Sequence, residues 1–259
     1  MKLKKVKESK GVSLVKMEDI HLWYGKVHAL KRISFEVYPG EIVGLIGDNG
    51  AGKSTLIKIL SGVLSKNRGK IYWKGEEVNV SSVKEARKLG IETVYQDQAV
   101  IGCLSVAQNI FMGRQPVKAW GPIKVLDKDK MRREAEKLAK NLKLHIPSPN
   151  QEIRFCSGGE IQGVAISRAM YFKASLVILD EPTTALAVSG VQKVLNFITR
   201  LKSEGMASIF VTHNLHHVYS VADRFVVLSR GEKVADFKKE ETSIEGLIEL
   251  QLRKGVTVT

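Results

Sequence analysis

The chain has 259 residues, 44% of them hydrophobic, and its 41 Lys and Arg outnumber 27 Asp and Glu to give a formal charge of +14. That length allows one large domain or two small ones around a buried core, and the ordinary 22 Gly and 6 Pro exclude collagen-like and low-complexity chains. No apolar run reaches the roughly 20 residues of a membrane span, Cys103 and Cys156 form no C-x-x-C pattern, and the charge points to nucleic acid, anionic lipid or acidic protein unless it is a solubilising Lys coat.

A Lys-rich tail at 1–13 opens the chain and reads as solvated rather than as a secretory signal. Residues 15–23 and 33–37 are rich in branched and aromatic side chains and predict strands, with Pro39-Gly40 as a turn. A short apolar strand follows at 41–46. After a glycine-rich turn, Leu56, Ile59, Leu60, Val63 and Leu64 recur at the spacing of one helix face. Residues 71–73 and 78–80 predict a hairpin, and 91–95 another strand. From about Asp97 to Pro149 the pattern reads as helical and charged. Within it, 128–144 sets Met131, Ala135, Leu138, Ala139 and Leu142 on one face of an amphipathic helix, which Pro147 and Pro149 end. Helices at about 158–172, 190–204 and 215–221 then alternate with strands at 176–179, 208–211 and 225–228. Such alternation predicts a mostly parallel sheet with helices on its faces. The expected fold is α/β: a mostly parallel core sheet, an N-terminal antiparallel β subdomain and an inserted α-helical subdomain.

Gly47-Asp48-Asn49-Gly50-Ala51-Gly52-Lys53-Ser54 satisfies G-x-x-x-x-G-K-[ST] in full, with a strand before it and a helix after it. The glycines let successive N–H groups turn inward onto phosphate oxygens at a helix N-terminus. Lys53 then carries its charge to the β- and γ-phosphates. The Ser54 hydroxyl is expected to ligate Mg²⁺, with Thr55 behind it at the helix start. Downstream, the apolar run 176–179 ends in Asp180 and Glu181. Ligands collect at the carboxyl ends of parallel strands. Asp180 is therefore expected to reach Mg²⁺ through water, and Glu181 to polarise the attacking water as general base. The competing reading is an acidic pair that only starts a turn before Pro182.

Beyond this loop, the residues resemble the nucleotide-binding subunit of ATP-binding cassette proteins. Cys156-Ser157-Gly158-Gly159-Glu160 looks like the family's signature motif and stands just before the strand ending in Asp180 and Glu181. Tyr95-Gln96-Asp97 looks like its glutamine loop, Val211-Thr212-His213 like its switch histidine, and Tyr24 like the aromatic that stacks on adenine. The resemblance runs from about 14 to 235. It implies a P-loop NTPase with a core at 14–96 and 160–259, and a helical insert at 97–159 carrying the signature at its end. It further implies a homodimer formed on ATP binding, with two MgATP between the copies. Ser157, Gly158 and Gly159 of one copy would cap the γ-phosphate held by Lys53 of the other, Gln96 would sense Mg²⁺ or water, and His213 would contact the γ-phosphate.

Each of these residues also has a plainer reading. Ser157-x-x-Glu160 is a capping box, Gln98 competes with Gln96, Tyr24 has a core aromatic as its lesser alternative, and His213, His216 and His217 have helical spacing that suits a metal. Three positions depart from the family pattern: Cys156 stands in place of Leu, Glu160 in place of Gln, and Ala187 in place of an Asp that helps link the two ATP sites. The implied function is the ATPase motor of a transporter, acting on a separate integral-membrane permease at the cytoplasmic face of the membrane, with an extracytoplasmic solute-binding protein as indirect partner. Residues 112–116 and 148–152 resemble importers of ribose, xylose or fructose. Ile110, Phe111 and Met112 read equally as core or as a permease-docking surface. Amino-acid import, and a cassette ATPase acting on nucleic acid or the ribosome, are the alternatives. Nucleic acid is disfavoured, because no zinc spacing, coiled-coil arm or aromatic-interleaved basic stretch is evident.

Overall fold

The computed structural model describes residues 11–95, 100–142, 148–184 and 186–255. Its first strand, β1 (Val15–Tyr24), buries Val15 and Met17, then Ile20 and Leu22. The two-residue alternation slips by one at Asp19, which sits at φ 50 and marks a bulge. β2 (Val27–Val37) and β4 (Arg68–Trp73) flank β1 antiparallel, and β5 (Glu76–Val78) pairs with β4.

Between these strands, β3 (Ile42–Ile46) leads into α1 (Lys53–Leu60). The helix stops short of Val63 and Leu64, correcting the longer face expected from their spacing. Gly62 turns at φ 74, where a Cβ would lie 2.3 Å from the Ser82 carbonyl oxygen. Leu64 still packs on the core from outside the helix. α2 (Val83–Leu89), capped by the Ser82 hydroxyl, leads into β6 (Ile91–Val94).

The remaining core elements are α5 (Gly158–Tyr171), β9 (Leu176–Asp180), α6 (Val188–Ser203), β10 (Ala207–Val211), α7 (Leu215–Val221), β11 (Arg224–Ser229), β12 (Glu232–Lys238) and α8 (Ile244–Gly255). Six strands form one sheet in the order β12-β11-β3-β10-β9-β6, with only β12 antiparallel. β3, β9 and β10 are buried along their whole length, because both faces of the sheet are covered. Val43, Leu45, Ile178 and Ile209 face α1 and the antiparallel subdomain. Ile42, Ile46, Leu179 and Phe210 face α5, α6 and α7 on the other side.

The middle of the chain departs from the all-helical reading. α3 (Val106–Ile110) and α4 (Lys128–Leu142) are helices, but β7 (Val117–Trp120) and β8 (Ile123–Leu126) form an antiparallel hairpin between them. Gly121, at φ 60, and Pro122 make its two-residue turn. Ile110 and Phe111 are core, which excludes them as a docking surface. Phe111 sets its ring edge-on to Tyr171 of α5 at 4.7 Å, in a small cluster with Val106, Met131 and Ala135. Among the described residues no helix is long and apolar enough to cross a membrane.

Candidate nucleotide site

The strand order places three loops side by side. β10 lies between β3 and β9, with Val211 opposite both Leu45 and Asp180. The loop after β3, the acidic pair after β9 and Thr212-His213 after β10 therefore leave the sheet at one edge, where ligands collect in such sheets.

The first loop depends on two glycines. Gly47 has φ 148, and a Cβ there would lie 2.2 Å from the Leu228 carbonyl oxygen. Gly52 has φ 103 with the Leu30 side chain 2.7 Å from where a Cβ would be. No other residue type fits either position. Asp48, Asn49, Gly50 and Ser54 are exposed along the rim, while Ala51 is buried below it and Thr55 is half-buried. Lys53 folds back into the loop, and its Nζ donates to the carbonyls of Gly47 (2.6 Å) and Asp48 (3.0 Å). Burial holds the ammonium below its ordinary pKa, a shift that Glu181, Asp180 and Asp48 oppose.

The carboxylates across the edge differ in their surroundings. Asp180 is buried, and burial followed by the adjacent Glu181 charge pushes its carboxyl up to about 6, against the pull of Lys53 and Lys58. Glu181 sits at φ 49, in the left-handed region that a side chain rarely enters. Its N–H donates to the Val211 carbonyl at 2.9 Å, which anchors this conformation. Its carboxylate accepts from the Thr212 hydroxyl (3.0 Å) and the His213 N–H (3.0 Å), and meets the His213 ring Nδ1 at 2.9 Å. The His213 side chain is 66% exposed, so the imidazole reaches outward from the carboxylate.

Thr212 is a site residue that motif reading passed over. Its hydroxyl is fully buried, donates to Glu181 and accepts the Asn214 N–H at 3.1 Å. The only local signal is a hydroxyl next to His213 at a strand end. His217, one of the three histidines whose spacing suits a metal, instead meets the buried Thr183 hydroxyl through Nδ1 at 3.1 Å. No group of three His, Cys, Asp or Glu suited to a metal occurs among the described residues. Ser54 and Asp180 offer oxygens alone, the donor chemistry of Mg²⁺ rather than zinc.

Ser157 caps α5. Its N–H and hydroxyl donate to one oxygen of Glu160, at 2.6 and 2.9 Å, and its own oxygen accepts the Glu160 N–H. Glu160 is thus committed to the helix start. Ser157 and Gly158 are exposed, with Gly158 beside Leu186. Among the described residues no hydrogen bond joins Ser157, Gly158 or Gly159 to the Lys53 loop. Tyr24 is 47% exposed at the end of β1, which excludes the core reading. Gln96 and Gln98 lie outside the described residues, as do Asp97 and Ala185.

The family described as ABC transporter matches residues 30–184. Over 237 residues the chain is 44% identical to the xylose/arabinose import ATP-binding protein XylG of Sulfolobus acidocaldarius, covering 92% of this chain and 93% of that protein. Over 217 residues it is 42% identical to the fructose import ATP-binding protein FrcA of Rhizobium meliloti, covering 82% and 83%. Among solved structures, a nucleotide-free ATP-binding cassette from an ABC transporter shares the fold at a TM-score of 0.82 and 24% identity, over 95% of this chain and 100% of that one.

Proposed function

The chain belongs to the ABC transporter family, and on that premise we propose that it is the ATP-hydrolysing motor of a sugar importer. The observation that carries the chemistry is the Glu181 carboxylate, held by Thr212 and His213 at the strand edge shared with the Lys53 loop. The sugar class rests on identities of 44% and 42% to a pentose and a fructose import protein.

In this reading the amides of Gly47, Asp48, Asn49, Gly50, Ala51 and Gly52 cradle the phosphates at the start of α1. Lys53 exchanges the carbonyls of Gly47 and Asp48 for phosphate oxygens, and its short tether aims it at the β- and γ-positions. Ser54, with Thr55 behind it, Asp180 and Gln96 would hold Mg²⁺, which would neutralise phosphate charge and favour the ionised form of Asp180. Water attacks the γ-phosphorus, the bond to the ADP oxygen breaks, and the water proton passes to Glu181. His213 keeps the carboxylate aimed and turns its exposed ring to the γ-phosphate. Catalysis is then positioning and charge neutralisation. Tyr24 stacks on adenine.

Ser157, Gly158 and Gly159 close the site of a second copy. They stand at the positive end of a 14-residue helix, with the acidic Glu160 turned back onto its own cap. ATP thereby draws two copies together, and the closure drives an integral-membrane permease at the cytoplasmic face, fed by a solute-binding protein outside.

Glu181→Gln tests the core of this proposal. It is expected to bind ATP with parental affinity, accumulate a dimer on size exclusion, and lose hydrolysis by on the order of a thousandfold. Parental turnover in this variant would remove Glu181 as the base.

A further inference from the structure

The hairpin β7–β8 is unlike the rest of the surface. Within ten residues it exposes Val117, Trp120, Ile123 and Leu126, with Trp120 at 77%. The strands pair Trp120 with Ile123 beside the turn, so the two side chains stand together at the tip on one face. The next rungs pair Ala119 with Lys124 and Lys118 with Val125. Each face of the ribbon therefore combines apolar groups with one lysine. Neither Lys118 nor Lys124 has an ion pair among the described residues. From the hairpin through α4, residues 117–140 carry eight Lys and Arg against four Asp and Glu.

An exposed Trp and Ile at a tip, with lysines one and two rungs behind, is the chemistry of a membrane interface. The ring settles at headgroup depth, the branched chain enters the acyl boundary, and the ammonium groups reach lipid phosphates. We propose that this hairpin seats on an anionic phospholipid surface and holds the motor against it. The inference rests on the reading of the chain as a membrane-associated motor, but needs no permease. Charge separates the two candidate occupants on the membrane. Cytoplasmic loops of membrane proteins carry excess Lys and Arg and repel a basic ribbon, whereas the lipid of that leaflet is negative. Nucleic acid would take the lysines but leaves the branched tip without a partner.

The test uses the full chain without permease, at low salt, on vesicles of phosphatidylcholine with and without admixed phosphatidylglycerol. Co-sedimentation is expected to be at least about tenfold stronger on the mixed vesicles. The tryptophan emission is expected to shift to shorter wavelength, a shift absent in Trp120→Phe. Trp120→Ser with Ile123→Ser is expected to lose vesicle binding about tenfold while retaining parental ATPase activity, and Lys118→Glu with Lys124→Glu to lose the preference for phosphatidylglycerol. Serine variants that bind as the parent does would overturn the proposal, as would equal binding to both lipids. So would retention on a DNA duplex that the serine pair abolishes. ATPase activity measured in the same samples tests the motor reading separately, since an inactive parent chain leaves the vesicle result intact.

Discussion

The strand edge that holds Lys53, Asp180 and Glu181 and the insert that holds the hairpin use the same residue types to opposite ends. At the edge, Lys53 and Asp180 are buried in the floor, their pKa values are displaced, and Glu181 is kept in a rare backbone conformation by neighbouring loops. In the insert, lysines and large apolar groups stand in solvent, supported by a separate small core around Phe111. The first region holds buried, displaced charges and a rare backbone conformation. The hairpin holds its large apolar groups in solvent. Ionisable groups stay displaced only where packing forbids them an alternative.

Substitutions that act on one region alone sharpen this contrast. Lys53→Ala has the largest expected effect, a loss of ATP affinity on the order of a thousandfold by calorimetric titration, because a charge-assisted contact inside the loop disappears. Phe111→Ala should cost about 3 kcal/mol in denaturant melts by opening a cavity under the insert, with ATP affinity barely changed. If affinity falls in parallel with stability, the two regions are not separate.

Asp180→Asn should act in the opposite sense on stability. The folded pKa of about 6 lies above the ordinary 3.8. The stabilising contribution of the bound proton is therefore fully present below 3.8 and is lost as pH rises through about 6. Near neutral pH, without nucleotide, Asn should stabilise the protein by about 2 kcal/mol, and the gain should shrink as pH falls toward about 4. Hydrolysis should fall at the same time. A loss of stability near neutral pH would mean that Asp180 is not under stress. The smallest effect belongs to Trp120→Ser, within about 0.5 kcal/mol of the parent in thermal melts, since the side chain rests on little.

Much of the site is legible before folding. The loop from Gly47 to Ser54 is contiguous, and its glycines and lysine suit phosphate wherever a strand precedes and a helix follows. The capping box at Ser157 and Glu160 is equally local, and its hydrogen bonds form as the spacing requires. Other features are not legible in the same way. The hairpin was hidden inside a charged stretch because its strands have four residues each and bury neither face, so no alternation marks them. Gly121-Pro122 was its only signal. The roles of Ile110 and Phe111 were undecided because periodicity says which residues share a face, not what covers it.

The sequence by itself determined most elements of the core sheet and its helices, the phosphate loop and the acidic strand end, since each is coded by neighbours in the chain or by a repeat of two or 3.6 residues. Only the tertiary structure decided that β10 lies between β3 and β9, so that Thr212 and His213 take hold of Glu181 from some thirty residues away. It also decided that Asp180 is buried and the hairpin is not. Periodicity is a property of the backbone and can be read along it, whereas the aim and the charge of a side chain depend on what the fold brings beside it.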